Sequence, residues 1–283
     1  MKMKLPKKHH GAETTIFAKM TALALQENAA NLSQGFPDDE IHPHLKKLLA
    51  KATANNYNQY APMNGLPMLV ETLIDFNQKR NISVSKDELT IIPGATYGIY
   101  TAIASIIEYG DEVIVLEPSY DSYVPAIETN GGKTVFVSLN EHFDADFEAI
   151  KKAITEKTKA IIINSPHNPT GKIWKKEDFE QLYQMIKDTE IMVISDEVYD
   201  LITFDENKFY SICHHPELKN RSFAIFSFGK MFHITGWKVG YILAPEELTN
   251  AFISVHQYLC FSVNTPAQYA LAKHLEHFEV NKN

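Results

Sequence analysis

The rhythm of apolar and polar positions changes near residue 88. Before it, apolar residues recur at helical spacing: Leu66, Leu69, Val70, Leu73 and Ile74 mark one buried face. Leu45 to Asn55 and Thr14 to Gln26 predict two further helices. Asn31 to Glu40, with Gly35 and Pro37, reads as a loop, and Asn58-Gln59-Tyr60-Ala61-Pro62-Met63-Asn64-Gly65 as a turn segment. From Leu89 onward short apolar runs alternate with helical stretches. The runs are Leu89 to Ile92, Val113 to Leu116, Val135 to Val137, Ala160 to Ile163, Ile191 to Ile194, Phe223 to Phe226 and Val239 to Leu243. They are apolar on both faces, which predicts an open α/β fold: a mostly parallel sheet sandwiched by helices. The helices are expected over Thr96 to Glu108, Asp121 to Asn130, Asp144 to Glu156 and Lys176 to Lys187. A last helix is predicted at Thr265-Pro266-Ala267-Gln268, with threonine as cap, proline in the first position and glutamine completing a capping box.

Composition narrows the class. The 283 residues are 45% hydrophobic and 22% charged, which suits a large folded core. The formal net charge is −8, and past the lysines of residues 2–8 no basic run offers a footprint for nucleic acid. Cys213 and Cys260 fit neither a disulfide framework nor a CxxC pair. No apolar run approaches a membrane span. The expected setting is cytoplasmic, without nucleic-acid or membrane partners. His42 with His44, His214 with His215, and His274 with His277 lack a third ligand at metal-site spacing, so they read as solvated histidines and no metal is expected.

In open α/β sheets ligands sit beyond the carboxyl ends of the strands. Five polar segments lie there. Pro93-Gly94-Ala95-Thr96 opens a helix and offers free amides to a phosphate, or is an ordinary strand-to-helix turn. Tyr120, in Glu117-Pro118-Ser119-Tyr120-Asp121-Ser122-Tyr123, opens a helix and either stacks on an aromatic ring or packs on the core edge. Asn164-Ser165-Pro166-His167-Asn168-Pro169-Thr170-Gly171 forms a rigid loop whose Asn168 can donate to a phenolic oxygen or a carboxylate. Asp196 follows a buried strand, as a partner for a protonated ring nitrogen or as a simple cap. Tyr199 is expected on the same helical face. Ser227-Phe228-Gly229-Lys230 and Lys238 suit a phosphorylated carbonyl cofactor, the amine bonding the carbonyl and the hydroxyl and second cation holding the phosphate. Taken alone, they read rather as a surface loop with solvated lysines.

Gly94-Ala95-Thr96, Tyr120, Asn168-Pro169-Thr170-Gly171, Asp196-Glu197-Val198-Tyr199 and Ser227-Phe228-Gly229-Lys230 together resemble the class I/II aminotransferases, fold-type-I pyridoxal phosphate enzymes. The likeness runs from about residue 30 to the end. Asn58 to Met63, Pro118 to Tyr123, His233 to Lys238 and Val255 to Tyr258 are similar to the methionine and kynurenine aminotransferase branch. The resemblance implies an aspartate-aminotransferase-like large domain over 41–283, preceded by an arm and substrate loop over 1–40. It implies Lys230 as the lysine bonded to pyridoxal 5'-phosphate and as proton shuttle, and Asp196 on the pyridine nitrogen. Asn168 and Tyr199 would bond the phenolic oxygen, and Tyr120 would stack. Ala95, Thr96, Ser227 and Lys238 would bind the phosphate beside Gly94. Tyr60 would reach a neighbouring subunit's cofactor, so a homodimer with shared sites is implied. Gly35 and Asn168 would face the substrate, with Phe17, Phe36 and Tyr123 around its apolar side chain. The activity implied is transfer of the amino group of an apolar or aromatic amino acid, methionine-type, to a 2-oxo acid.

The sequence also departs from the family's pattern. The family's C-terminal small domain, with the arginine that clamps the substrate carboxylate, is expected to be missing. The chain's only arginines are Arg80, read as ending a surface helix, and Arg221, read in a polar loop. Two alternatives follow: a cysteine-conjugate β-lyase using the same site, or an inactive fragment that still binds cofactor.

Overall fold

The computed structural model describes residues 15–33, 40–204 and 207–278. Gly35 and Phe36 lie outside the described residues. Seven strands form one sheet: β1 Leu89–Ile92, β2 Glu112–Glu117, β3 Lys133–Ser138, β4 Thr158–Asn164, β5 Met192–Asp196, β6 Ser222–Ser227 and β7 Gly240–Leu243, in the order β1-β7-β6-β5-β4-β2-β3. The β3–β2, β2–β4, β4–β5 and β5–β6 pairs are parallel. The β7 strand runs antiparallel to both β6 and β1. The 239–243 run, expected among the parallel strands, is therefore reversed. The link from β6 holds only short helical turns, too little for the crossover that a parallel neighbour requires.

The helices are α1 Ile16–Gln26, α2 Pro43–Ala54, α3 Pro67–Gln78, α4 Ala95–Ile106, α5 Tyr123–Thr129, α6 Phe147–Ala153, α7 Lys176–Ile186, α8 Pro216–Lys219, α9 Phe228–Met231, α10 Glu246–Leu259 and α11 Thr265–Leu275. Strand side chains alternate between two cores, as the pleat requires. Ile114, Ile161, Ile163, Val193 and Phe226 join Leu69 and Leu73 of α3, Phe179 and Leu182 of α7 and Leu271 of α11. Val113, Val115, Ile162, Ile194 and Ile225 join Ile99 and Ile103 of α4, Ile127 of α5 and Phe252 of α10. Burial on both faces explains why the strands are continuously apolar in sequence, except at the edge strand β3, where Phe136 is half exposed.

Several element ends differ from expectation, those of α6 and α11 because a side chain found another partner. The α5 helix starts at Tyr123, so Tyr120 lies in the turn before it. The α6 helix is shorter than predicted, and Asp146 caps it by accepting from the Ala149 amide at 2.9 Å. The cap of α11 is Asn264, which accepts from the Ala267 amide at 3.0 Å. Thr265 instead donates to the Gln59 carbonyl at 2.6 Å, and Gln268 accepts from the Leu66 amide at 2.7 Å. These bonds tie α11 to the 59–66 segment.

Both arginines are structural. Arg80 is buried, not exposed: its guanidinium meets Asp200 at 2.8 Å and lies over the rings of Phe76 and Phe209. Arg221 donates to the carbonyls of Ile186, Thr189 and Ile191, closing the turn between α7 and β5. His214 and His215 are not freely solvated either. The Ser211 amide donates to His214 Nδ1 at 3.0 Å, and the Leu218 amide to His215 Nδ1 at 3.3 Å.

Candidate active site

Strand register sets the site. Asn164 pairs with Asp196 and Asp196 with Ile225, so the carboxyl ends of β4, β5 and β6 lie level. Beyond them opens a cavity of about 210 Å³. It is lined by Gly94, Ala95, Thr96, Tyr120, Asn168, Asp196, Tyr199, Ser227, Lys230 and Lys238, which the sequence had singled out, and by Phe17 from α1. Tyr60 is not among them. It is 81% exposed, beside Phe261, on a separate surface.

Asp196 is buried at the cavity wall. Its Oδ2 accepts from the Tyr123 hydroxyl at 2.7 Å. Burial pushes its pKa up to about 6, against the Tyr123 bond, the Val198 amide and the charge of Lys230. Tyr123, expected in a substrate pocket, instead lies under the site as a buried support for this carboxylate. Tyr199 sits in a turn rather than on a helix. Burial first, then the charge of Asp196, raises its pKa to about 12, which keeps it a phenol and a donor.

Lys230 is on α9, one short turn past β6, with its ammonium 5.3 Å from the centre of the Tyr199 ring. Burial lowers its pKa, opposed by Asp196 and assisted by Lys238. Lowered basicity leaves more free amine, the nucleophilic form.

The α4 N-terminus faces the same space. Gly94 precedes it at φ 88° and ψ 159°, a conformation essentially reserved for glycine. A Cβ there would stand 3.3 Å from Lys238 Nζ. The missing side chain thus leaves a cradle between the amides of Ala95 and Thr96 and the Lys238 ammonium, which suits a phosphate. The Tyr120 hydroxyl lies 3.3 Å from Thr96 Oγ1 at the mouth.

Sequence reasoning missed Asn164. Its Nδ2 donates to the Asp196 carbonyl at 2.8 Å, and its Oδ1 accepts from the Asn168 amide at 2.6 Å. It therefore fixes the loop carrying Asn168 relative to β5. The usable signal was position: a polar residue closing an apolar strand, buried with no charge to neutralise. Thr235 and Val198 also line the cavity unannounced.

A mostly parallel sheet with a lysine, a buried aspartate and a helix N-terminus around one cavity defines a class, and similarity to known proteins specifies it. Residues 27–283 match the family model for aminotransferase class I and II, and the chain belongs to that enzyme family. Enzymes of this family use pyridoxal phosphate and act on amino acids and 2-oxo acids. The chain is 46% identical to methionine aminotransferase of Escherichia coli, over 92% of this chain and 68% of that protein. It is 36% identical to kynurenine–oxoglutarate transaminase of Dictyostelium discoideum, over 93% of this chain and 65% of the relative. In three dimensions it superposes on an E. coli crystal structure described as a methionine aminotransferase, with a TM-score of 0.93 and 43% identity, covering 98% of this chain and 73% of the other. Thermus thermophilus aspartate aminotransferase gives a TM-score of 0.88 at 30% identity, covering 97% and 73%. No helix among the described residues is long and apolar enough to cross a membrane.

Proposed function

We propose that this chain binds pyridoxal 5'-phosphate through Lys230 and transfers the amino group of a methionine-type apolar or aromatic amino acid to a 2-oxo acid. One observation carries the reading: a lysine of lowered basicity and a buried carboxylate that, among the described residues, has no arginine or histidine partner line one cavity. The donor set fits the cofactor. Asp196 would hold the proton on the ring nitrogen, Asn168 and Tyr199 would donate to the phenolic oxygen, and Tyr120 would cover the ring. The amides of Ala95 and Thr96, the Ser227 hydroxyl and Lys238 would take the phosphate. When bound, the cofactor supplies an aldehyde that accepts the amino group and a ring that draws electrons from the substrate's α-carbon. Lys230 Nζ, as free amine, would carry the proton between that carbon and the cofactor's aldehyde carbon. Tyr123 and Asn164 keep Asp196 and Asn168 in place while this occurs.

The methionine preference rests on likeness to the E. coli enzyme, and Phe17 at the cavity supports an apolar neighbour for the substrate side chain. Gly35 and Asn168 would face the substrate. The exposed Tyr60 supports a homodimer in which it reaches the other subunit's cofactor, and the proposed setting is cytoplasmic. The proposed organisation is an arm over 1–40 and a cofactor-binding domain over 41–283.

A second reading, cofactor binding without turnover, is favoured by one observation. Both arginines are engaged in the scaffold, and neither lines the cavity that would hold the substrate carboxylate. Incubation with cofactor, methionine and a 2-oxo acid decides between them. Formation of methionine's oxo acid, lost in Lys230→Ala, supports transamination. A folded protein that binds the cofactor yet forms no oxo acid supports the second reading.

A further inference from the structure

Two histidine pairs that are 230 residues apart meet on one surface. His42 precedes α2 and His44 is in its first turn, while His274 is in the last turn of α11 and His277 lies just beyond. Ring centroids of His274 lie 5.3 Å from His42 and 5.6 Å from His44, and His277 is 6.3 Å from His44. The cluster is far in sequence from the strand-end loops and shares no residue with the cavity.

Two nitrogens face one another directly: His44 Nδ1 and His274 Nδ1 are 3.4 Å apart. That is long for an N–H···N hydrogen bond. It equals the edge of a tetrahedral metal site, where metal–nitrogen bonds of about 2.0–2.1 Å set two ligands about 3.4 Å apart. Phe232 meets the His274 ring edge-on at 4.9 Å and holds its plane. The His42 ring is engaged otherwise, its Nδ1 accepting from the His44 amide at 3.2 Å. Among the described residues no three His, Cys, Asp or Glu side chains are already set around one ion. The preset portion of the site is therefore the His44–His274 pair alone.

We propose that His44 and His274 bind a late first-row divalent cation through their Nδ1 atoms, with water in the remaining positions, clipping α2 to α11. An imidazole pair selects nickel, copper or zinc over magnesium or calcium. The site is independent of the cofactor and of transamination.

The test is titration of untagged protein with Ni²⁺, followed calorimetrically and by thermal unfolding, with Mg²⁺ as control. Wild-type protein is expected to bind Ni²⁺ and to unfold at a higher temperature in its presence, because the ion binds only the native pairing of α2 and α11. His274→Gln and His44→Gln should each weaken binding about tenfold or more. His142→Gln, on a distant exposed loop, should leave it unchanged. His44→Gln, in the first turn of α2, keeps the test open if His274→Gln does not fold. Equal Ni²⁺ affinity in wild type and the His44 variant would overturn the proposal, as would binding with no rise in unfolding temperature.

Discussion

Tyr123→Phe isolates one bond in the support of the site. The substitution removes an oxygen and leaves the ring in its buried place, so little cavity forms. What is lost is the hydroxyl donating at 2.7 Å to Asp196 Oδ2. A hydrogen bond to a charged group contributes about 1.5–3 kcal/mol, and a neutral one about 0.5–1.5 kcal/mol. Asp196 titrates near 6 in the fold, above the ordinary value of 3.8. A folded-state pKa that is raised gives stability that is full below the ordinary value and is lost as pH rises through the folded one. Without Tyr123 the carboxylate loses a stabilising donor, so its pKa should rise further, by about one unit. The extra loss of stability therefore falls at high pH. Denaturant unfolding of cofactor-free protein should show the variant about 1.5–3 kcal/mol less stable at pH 8, and about 0.5–1.5 kcal/mol less stable at pH 5. An equal cost at both pH values, or a larger cost at pH 5, would refute the charge-supporting role of Tyr123.

Two further outcomes are expected. Arg80→Met should destabilise the chain by about 3–5 kcal/mol in denaturant titration, because it strands the buried Asp200 carboxylate, and adding Asp200→Asn should recover part of the loss. A cost as small as that of a surface pair would show that the pair is not stabilising. Gly94→Ala should cost about 1–3 kcal/mol through its backbone conformation, and should weaken pyridoxal phosphate binding in a fluorescence titration by crowding Lys238.

The legible parts of the fold were those governed by burial. Runs such as Ala160 to Ile163 and Phe223 to Phe226 are covered on both faces, so their apolar continuity announced interior strands. The reversal of β7 was not legible, since its sequence looks like the others and direction depends on the connection. The cavity residues that carry distinctive chemistry after a strand, Asp196, Lys230 and Gly94, stood out in sequence. The residues that hold them did not. Asn164 and Tyr123 act by hydrogen bonds to partners 32 and 73 positions away, which no local pattern encodes. Arg80 shows the opposite error. A polar-looking stretch, Gln78-Lys79-Arg80-Asn81, suggested solvent, yet Asp200 and two aromatic rings draw the guanidinium inward. The histidine pairs were unreadable as a cluster for the same reason: each pair is local, and their meeting is tertiary.

The most direct test of the central claim is where the cofactor bonds. Purified protein is incubated with pyridoxal 5'-phosphate, reduced with borohydride, digested and mapped by mass. The account predicts the added cofactor mass on the peptide carrying Lys230, absent from folded Lys230→Ala protein. Cofactor fixed on Lys238 or scattered over surface lysines, with Lys230 unmodified, would contradict it.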